Sequence, residues 1–244
     1  MAFQGTIFEK NQTINLDQNE QLIVYQDLNN PVENLNINLK EDASLEVMLY
    51  NSNAKVNCEV TTNTNLTIYN IAFVNDEYKI DLNVDATGIG ANIHIVNVYL
   101  GIENAKMTSD MMIKHLAKGT TCLLETYAIS KNNANLVLNN NALIKQGMSK
   151  TDTRQMTKGL NLSETASIKA QPNLFIDEYD VVASHSASIG SIDKEDLFYL
   201  MSRGLSESKA QEIVVLGFIE PILANIKNEE LQKDIYNKFA NLLK

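Results

Sequence analysis

The chain has 244 residues, enough for one large domain, or one domain with a small appendage, to bury a core without disulfides or metals. Twenty basic against thirty acidic side chains give a net charge of −10, which excludes a nucleic-acid partner because phosphate binding draws on cationic side chains. From its hydropathy we expect no membrane-spanning helix and no signal peptide. Two distant cysteines exclude a disulfide framework. We therefore expect a cytoplasmic protein without a membrane partner.

The first 144 residues contain many short segments that are typical of β-strands. Apolar and polar residues alternate in several of them, as in residues 35–39 and 80–84, and this period of two places alternate side chains inward and in solvent. The pattern predicts a mainly β fold. The predicted strands cover residues 35–39, 45–50, 55–60, 66–73, 78–84, 93–100, 121–129, 135–138 and 142–144.

Asparagine clusters separate several of these segments. Residues 51–53, 63–65 and 139–141 predict tight turns, because Asn tolerates a left-handed backbone. Short strands with few prolines and with Asn at the corners indicate the rungs of a β-helix, whereas a β-sandwich is compatible with the same short strands. The periodicity by itself leaves both folds open.

A helical period begins after about residue 191. Asp193 is placed to cap a first helix, and Gly204 suits the left-handed position just past its end. Ser206 begins a second helix that we expect Pro221 to bend or interrupt, and Asn228 is the predicted cap of a third helix. The apolar face predicted for the second helix consists of Ala210, Ile213, Val214, Gly217 and Phe218.

Residues 172–218 carry a resemblance to a known family. They read PNLFIDEYDVVASHSASIGSIDKEDLFYLMSRGLSESKAQEIVVLGF. The order of Pro-x-Leu-x-Ile, an acidic stretch, Ser-His, Gly-x-Ile-Asp and Leu-Phe-Tyr-Leu-x-Ser-Arg-Gly resembles the C-terminal signature of the SufB/SufD family, the scaffold proteins of the SUF iron–sulfur cluster assembly system. Residues 113–115, 150–155 and 160–163 resemble further family elements.

The resemblance implies a fold and a division into domains. It favours the β-helix over the sandwich: a right-handed parallel β-helix at residues 1–190, followed by a small helical domain at residues 191–244. Longer family members carry a separate N-terminal helical region, which we expect this chain to lack.

The resemblance also implies a function. We expect a SufD-like scaffold subunit that binds the SufC ATPase through its C-terminal helices, and SufB or a second copy of itself through the last strands. The pair Ser184-His185 and the Leu-Phe-Tyr-Leu-x-Ser-Arg-Gly segment resemble the SufD branch. SufB-type chains instead carry an essential cysteine in a late strand, and no cysteine follows Cys122 here. The alternative is a homodimeric SufB/SufD-like scaffold that itself holds a nascent iron–sulfur cluster. No stably bound cofactor is expected in this chain alone, only a transient cluster in the complex.

The resemblance makes His185 the first candidate for a cluster-assembly residue. In the family this histidine lies at the SufB–SufD interface, and a neutral imidazole is a competent iron ligand. The alternative is a structural hydrogen bond at the end of the last rungs. The family's Cys-Ser-His-Gly becomes Ala183-Ser184-His185-Ser186 in this chain, so metal chemistry here would need ligands from a partner chain.

The candidates for SufC docking lie in the first C-terminal helix and just beyond it. The apolar run there is wider than one packed stripe requires, and Arg203 can pair with a carboxylate of a partner. The alternative is that the run belongs to the intramolecular core. The candidates are Leu197, Phe198, Tyr199, Leu200, Arg203 and Gly204.

We expect the remaining cysteines, histidines and clustered carboxylates to have structural roles or no specific role. Cys58 and Cys122 are expected in the core, and His94 is expected to face solvent or a neighbouring rung. His115 matches a family position without a specific role. The carboxylates of residues 177–180 predict a solvated acidic turn. No phosphate loop or nucleophile motif is present, so we expect a protein that is not an enzyme.

Overall fold

The computed structural model describes residues 3–7, 9–26, 31–224, 226 and 229–243, with only the backbone of residues 3–5, 230 and 231. Fifteen strands precede three helices in this part of the chain. The strands are β1 (Phe3–Ile7), β2 (Asn11–Leu16), β3 (Gln21–Gln26), β4 (Asn34–Leu39), β5 (Ser44–Tyr50), β6 (Lys55–Val60), β7 (Asn65–Val74), β8 (Glu77–Ala86), β9 (Asn92–Gly101), β10 (Lys106–His115), β11 (Thr121–Ser130), β12 (Asn135–Ile144), β13 (Thr151–Asn161), β14 (Ser167–Ile176) and β15 (Val181–Ser191). The helices are α1 (Lys194–Ser202), α2 (Glu207–Leu223) and α3 (Glu229–Leu242).

Successive strands alternate between two parallel sheets. One sheet has the order β1-β3-β5-β7-β9-β11-β13-β15, and the other has the order β14-β12-β10-β8-β6-β4-β2. Each turn of the chain therefore adds one strand to each sheet, which is a β-solenoid and confirms the predicted β-helix. A β-sandwich is excluded, because the strands of a sandwich pair antiparallel within each sheet, whereas the strands of both sheets pair in parallel here.

The turns between strands confirm part of the asparagine prediction. Asn51 and Asn63 adopt left-handed backbones with φ of 48° and 54°. The prediction for residues 139–141 is wrong, because they lie inside β12, a single strand where the sequence predicted two. Their amides form cross-strand bonds instead, such as Asn139 Nδ2 to Asp110 Oδ1.

The inner faces of both sheets form the main core. Paired residues in a parallel register point to the same side of a sheet, so inward side chains stack in ladders along the coil. One such ladder is Ile68, Ile95 and Leu124, all fully buried and paired in register. Burial of such stacked aliphatic groups is the dominant favourable contribution to folding.

Polar side chains inside the middle turns are paired directly with one another. Asn70 Nδ2 donates to the Tyr99 hydroxyl at 2.7 Å, and that hydroxyl lies 3.0 Å from Ser109 Oγ. Asn97 Nδ2 donates to Thr126 Oγ1 at 3.2 Å. Because each of these buried groups has a protein partner, the network avoids most of the desolvation penalty of a buried polar atom.

Helices α2 and α3 cover the outer face of the eight-stranded sheet. Val215, Ile219 and Phe239 pack on outward residues of its strands, and the rings of Phe239 and Phe73 lie 4.7 Å apart in an edge-to-face arrangement. Lys131 Nζ also donates to the Leu243 carbonyl at 2.8 Å. This packing fixes the C-terminal helices to the solenoid.

The details of α2 differ from the sequence prediction. Its buried face is Ala210, Glu212, Val215, Leu216, Ile219, Ile222 and Leu223. Of the predicted face Ala210 is fully buried and Phe218 is half-buried against the ring of Tyr127 on the sheet, whereas Ile213 and Gly217 are exposed. The helix also continues through Pro221, so the predicted interruption is wrong. The predicted cap Asn228 lies outside the described residues.

Helix α1 begins and ends as the sequence predicts. The carboxylate of Asp193 accepts a hydrogen bond from the Glu195 amide at 2.8 Å, and Gly204 has a φ of 91° just past the end. The domain boundary predicted at residues 190 and 191 stays a prediction, although β15 ends at Ser191. Within the described residues, no helix is long and apolar enough to cross a membrane.

Candidate docking site at the open end of the solenoid

The C-terminal end of the coil leaves two strand edges open. β15 is the last strand of the eight-stranded sheet, and β14 is the last strand of the other. Each is paired on one side only, through β13 and β12 respectively, so the other side presents unpaired backbone groups to a partner strand. We call β14, β15 and α1 the open end.

His185 lies on β15 at an inward position. It pairs in register with Gln155, which is buried inside the coil, so both side chains point to the inner side of their sheet. His185 is nevertheless exposed, since the described chain adds no further turn above it. Its position makes the imidazole accessible to a partner that covers the end of the coil.

The surroundings of His185 hold few other metal ligands. Ala183 occupies the inward position before it, and Ala187 the position after it. No group of three or more His, Cys, Asp or Glu side chains that could hold a metal ion occurs among the residues described.

Apolar side chains surround these open edges. Phe175 and Ile176 on β14, Val182 on β15 and Tyr179 in the connecting turn are all exposed. These four residues are not among those predicted from the sequence. The sequence does contain a feature that could have identified them. Adjacent apolar residues at 174–176 and 181–182 break the alternation that is expected of a strand with one solvent-facing side.

The turn between β14 and β15 is held by one carboxylate. Glu178 accepts hydrogen bonds from the backbone amides of Gly147, Tyr179 and Asp180, at 2.8, 2.9 and 3.3 Å. These amides stabilise the charged form and lower the pKa of Glu178. The acidic turn predicted from the sequence thus has a structural carboxylate that positions the exposed Tyr179.

Helix α1 presents its apolar residues to solvent. None of its residues is buried, with Phe198 74% and Tyr199 57% exposed, while Leu197 and Leu200 are half-buried. Arg203 lies over the Tyr199 ring at 5.3 Å. The alternative that this run belongs to the intramolecular core is wrong for Phe198 and Tyr199, because both rings are mostly exposed to solvent.

A comparison with known families identifies this arrangement. A family model described as SUF system FeS cluster assembly, SufBD core domain, matches residues 4–218. The chain belongs to this SufBD core family. The solenoid with an exposed histidine at its end therefore belongs to a family whose description is iron–sulfur cluster assembly.

Curated relatives of this SufBD-family chain include SufD proteins. The iron-sulfur cluster assembly protein SufD of Bacillus subtilis is 31% identical over 162 residues, covering 66% of this chain and 37% of the relative. SufD of Escherichia coli is 30% identical over 100 residues, covering 41% and 24%. A SufBD family protein of Mycobacterium tuberculosis is 30% identical over 168 residues, covering 65% and 42%. The match thus spans less than half the length of each relative.

The other reactive residues of this SufBD-family chain lie within the body of the solenoid. Cys58 and Cys122 are buried in the core as predicted, and burial raises both thiol pKa values, that of Cys122 to about 12. His94 Nε2 lies 2.8 Å from Glu125 Oε2 on the neighbouring rung. His115 is fully buried with Nδ1 2.8 Å from Thr120 Oγ1, and burial lowers its pKa to about 4.

Proposed function

We propose that this chain is a SufD-like scaffold subunit of an iron–sulfur cluster assembly complex, and not an enzyme. In this proposal a SufC-like ATPase binds the C-terminal helices, and a SufB-like scaffold binds the last strands. A transient cluster is the cargo, assembled where His185 meets the partner. Membership of the SufBD core family and the similarity to two SufD proteins support this function.

The observation that carries the proposal is the exposure of α1. An isolated nine-residue helix is marginal in water, and this one leaves Phe198 and Tyr199 in solvent while α2 and α3 bury their apolar faces on the sheet. Phe, Tyr and Arg are enriched in protein–protein interfaces, and Tyr and Arg are also among the residues that contribute most to binding energy. Phe198, Tyr199 and Arg203 therefore form a compact anchor for the ATPase.

The open strand edges support the second contact. A partner strand added to β15 would satisfy its unpaired backbone groups, and a second contact of this kind is available at β14. The exposed Phe175, Tyr179 and Val182 would supply apolar contact area around the backbone bonds. Because His185 lies on β15, a scaffold that binds this edge brings its own ligands to the imidazole.

Co-purification tests the two contacts separately. The tagged chain is expressed with a SufC-like and a SufB-like protein, and both should be retained. Phe198→Ala with Tyr199→Ala should lose the ATPase alone, and Val182→Glu should lose the SufB-like scaffold alone. Ile89→Ala and Leu123→Glu are matched controls, since both replace exposed apolar residues away from the open end. Retention of neither partner by the unmodified chain contradicts the proposal.

Cluster transfer tests the role of His185. His185→Ala in the intact complex should assemble and retain both partners but deliver less cluster to an acceptor apoprotein. His94→Ala is the control, because His94 lies on the same sheet away from the open end. Normal transfer by His185→Ala rejects the ligand role.

Anaerobic reconstitution of the isolated chain distinguishes the homodimeric alternative. Iron and sulfide should give no stable visible absorption if the chain needs a partner's ligands. A dimer with a stable cluster favours the alternative scaffold instead.

A further inference from the structure

The inner ladders of the solenoid change character in the last turns. The ladder Ile68, Ile95 and Leu124 continues in register to Gln155 on β13. On the opposite sheet, Met111 is paired with Asn140 on β12. Two amides thus take positions that the preceding turns fill with apolar groups, and both are almost completely buried.

The inward face of β13 is polar along most of its length. Its four successive inward residues are Thr151, Thr153, Gln155 and Thr157, and all four are buried. Thr151 Oγ1 lies 3.4 Å from Thr120 Oγ1, which in turn lies 2.8 Å from His115 Nδ1. At the other end of the strand Asn140 Nδ2 donates to Thr157 Oγ1 at 3.2 Å. We call this run from His115 to Asn140 the polar strip.

Four atoms of the polar strip have no hydrogen-bond partner among the described protein groups. They are His115 Nε2, Asn140 Oδ1, Thr153 Oγ1 and Gln155 Oε1. Such atoms carry a large desolvation penalty when they are left unpaired. The contrast with the middle turns is direct, because Asn70, Asn97 and Tyr99 satisfy one another there at 2.7 to 3.3 Å.

The chemistry of these four atoms favours water over other small ligands. The oxygens are neutral amides and a hydroxyl, and the residues described offer no cluster suited to a metal ion. Amide oxygens accept only, so each needs a donor, and buried water commonly satisfies such groups with two to four bonds. Gln155 of the strip lies one strand in from the open edge, because it pairs in register with His185 on β15.

We propose that the interior of the last turns binds a cluster of ordered water molecules along the polar strip, held by Gln155 Oε1, Asn140 Oδ1, Thr153 Oγ1 and His115 Nε2. These water molecules take the place of the aliphatic side chains of the earlier turns and form a layer of bound water below the open end. This inference concerns the chain alone and does not depend on the partners proposed above.

A high-resolution crystal structure of the full chain tests the water cluster directly. Water is expected within roughly 3.2 Å of both Gln155 Oε1 and Asn140 Oδ1. The proposal is overturned if either oxygen accepts from a protein group, or lacks a water neighbour.

Thermal unfolding of a matched pair of variants gives an independent test. Gln155→Met removes an anchor for the water, whereas Leu124→Met changes the paired residue of the preceding turn while conserving its apolar character and approximate volume. With bound water, the midpoint of Gln155→Met falls below that of Leu124→Met, because the remaining waters lose a partner. A dry interior predicts the opposite, since Met removes an unsatisfied oxygen and loses only the long 3.5 Å bond from Gln155 Nε2 to the Asn173 carbonyl. A midpoint equal to or above the control contradicts the proposal, and failure of Gln155→Met to fold leaves the crystal structure of the unmodified chain to decide.

Discussion

The closed body of the molecule and its open end use the same residue types in opposite ways. In the closed body, which comprises the middle turns with α2 and α3, Phe239 and Tyr99 are fully buried and make specific contacts. At the open end, Phe198 and Tyr199 extend into solvent. Stability therefore resides in the closed body, and the open end is free to contribute apolar surface to binding.

The largest expected effect separates two phenylalanines. Phe239→Ala should reduce the free energy of unfolding by about 3–5 kcal/mol, because it removes a buried ring from the contact between α3 and the sheet. Phe198→Ala should change it by less than about 0.5 kcal/mol, since that ring is mostly in solvent. Urea denaturation measures both, and equal losses would show that the comparison is wrong.

The buried His115 makes the closed body sensitive to acid. Burial lowers its folded pKa to about 4, against 6.5 when the chain is unfolded, so between these values the unfolded chain binds the extra proton. The free energy of unfolding should be unaffected by this group above about pH 6.5 and fall by about 3 kcal/mol as the pH drops to 4. Denaturation midpoints across this range measure the slope. His115→Gln should flatten it, and an unchanged slope in that variant would assign the acid sensitivity to other groups.

Two tyrosines provide a smaller contrast. Tyr99→Phe should cost about 1–3 kcal/mol in the free energy of unfolding, because Asn70 Nδ2 and Ser109 lose their buried partner. Tyr199→Phe should cost less than about 0.5 kcal/mol, as its exposed ring lies outside the core. The same denaturation experiment measures both variants, and the comparison weakens if Tyr199→Phe proves the more damaging.

The smallest effect distinguishes α2 from α1 through their caps. Ser206→Ala should lower global stability by about 1 kcal/mol, because Ser206 Oγ accepts from the Lys209 amide at the start of a helix packed on the sheet. Asp193→Ala removes the equivalent bond in α1, yet should raise only the local amide exchange of that helix. Hydrogen exchange resolved by residue separates the outcomes. Global loss in Asp193→Ala would mean that α1 is part of the cooperative core.

Much of this architecture could be predicted from short-range sequence patterns. Alternation located β4 to β9, and the caps at Asp193 and Ser206 located α1 and α2, because these features depend on neighbours a few residues apart. The strands β1 to β3, β10 and β13 to β15 lie outside the predicted segments, and β13 has a clear physical reason. Its inward residues are polar, so the alternation of apolar and polar residues is absent although the backbone is extended.

The candidate site was predictable only in part. His185 and the apolar run of α1 came from the family resemblance, whereas Phe175 and Val182 at the open edges were not found. The face of α2 was misjudged as well, with Ile213 exposed and Ile219 buried. A helix with apolar residues on most of its surface can pack in several orientations, and the sheet beneath selects one.

The amino-acid order by itself determined that short strands precede a group of helices, because periodicity and capping act locally. The family resemblance selected a coil of stacked strands over a sandwich, and the tertiary structure decided which of the aromatic side chains are covered. The identical residue types in Tyr99 and Tyr199 differ in exposure because the first lies inside a closed turn and the second lies on a helix that packs mainly against α2. Burial depends on neighbours far away in the chain, and a local pattern carries no information about them.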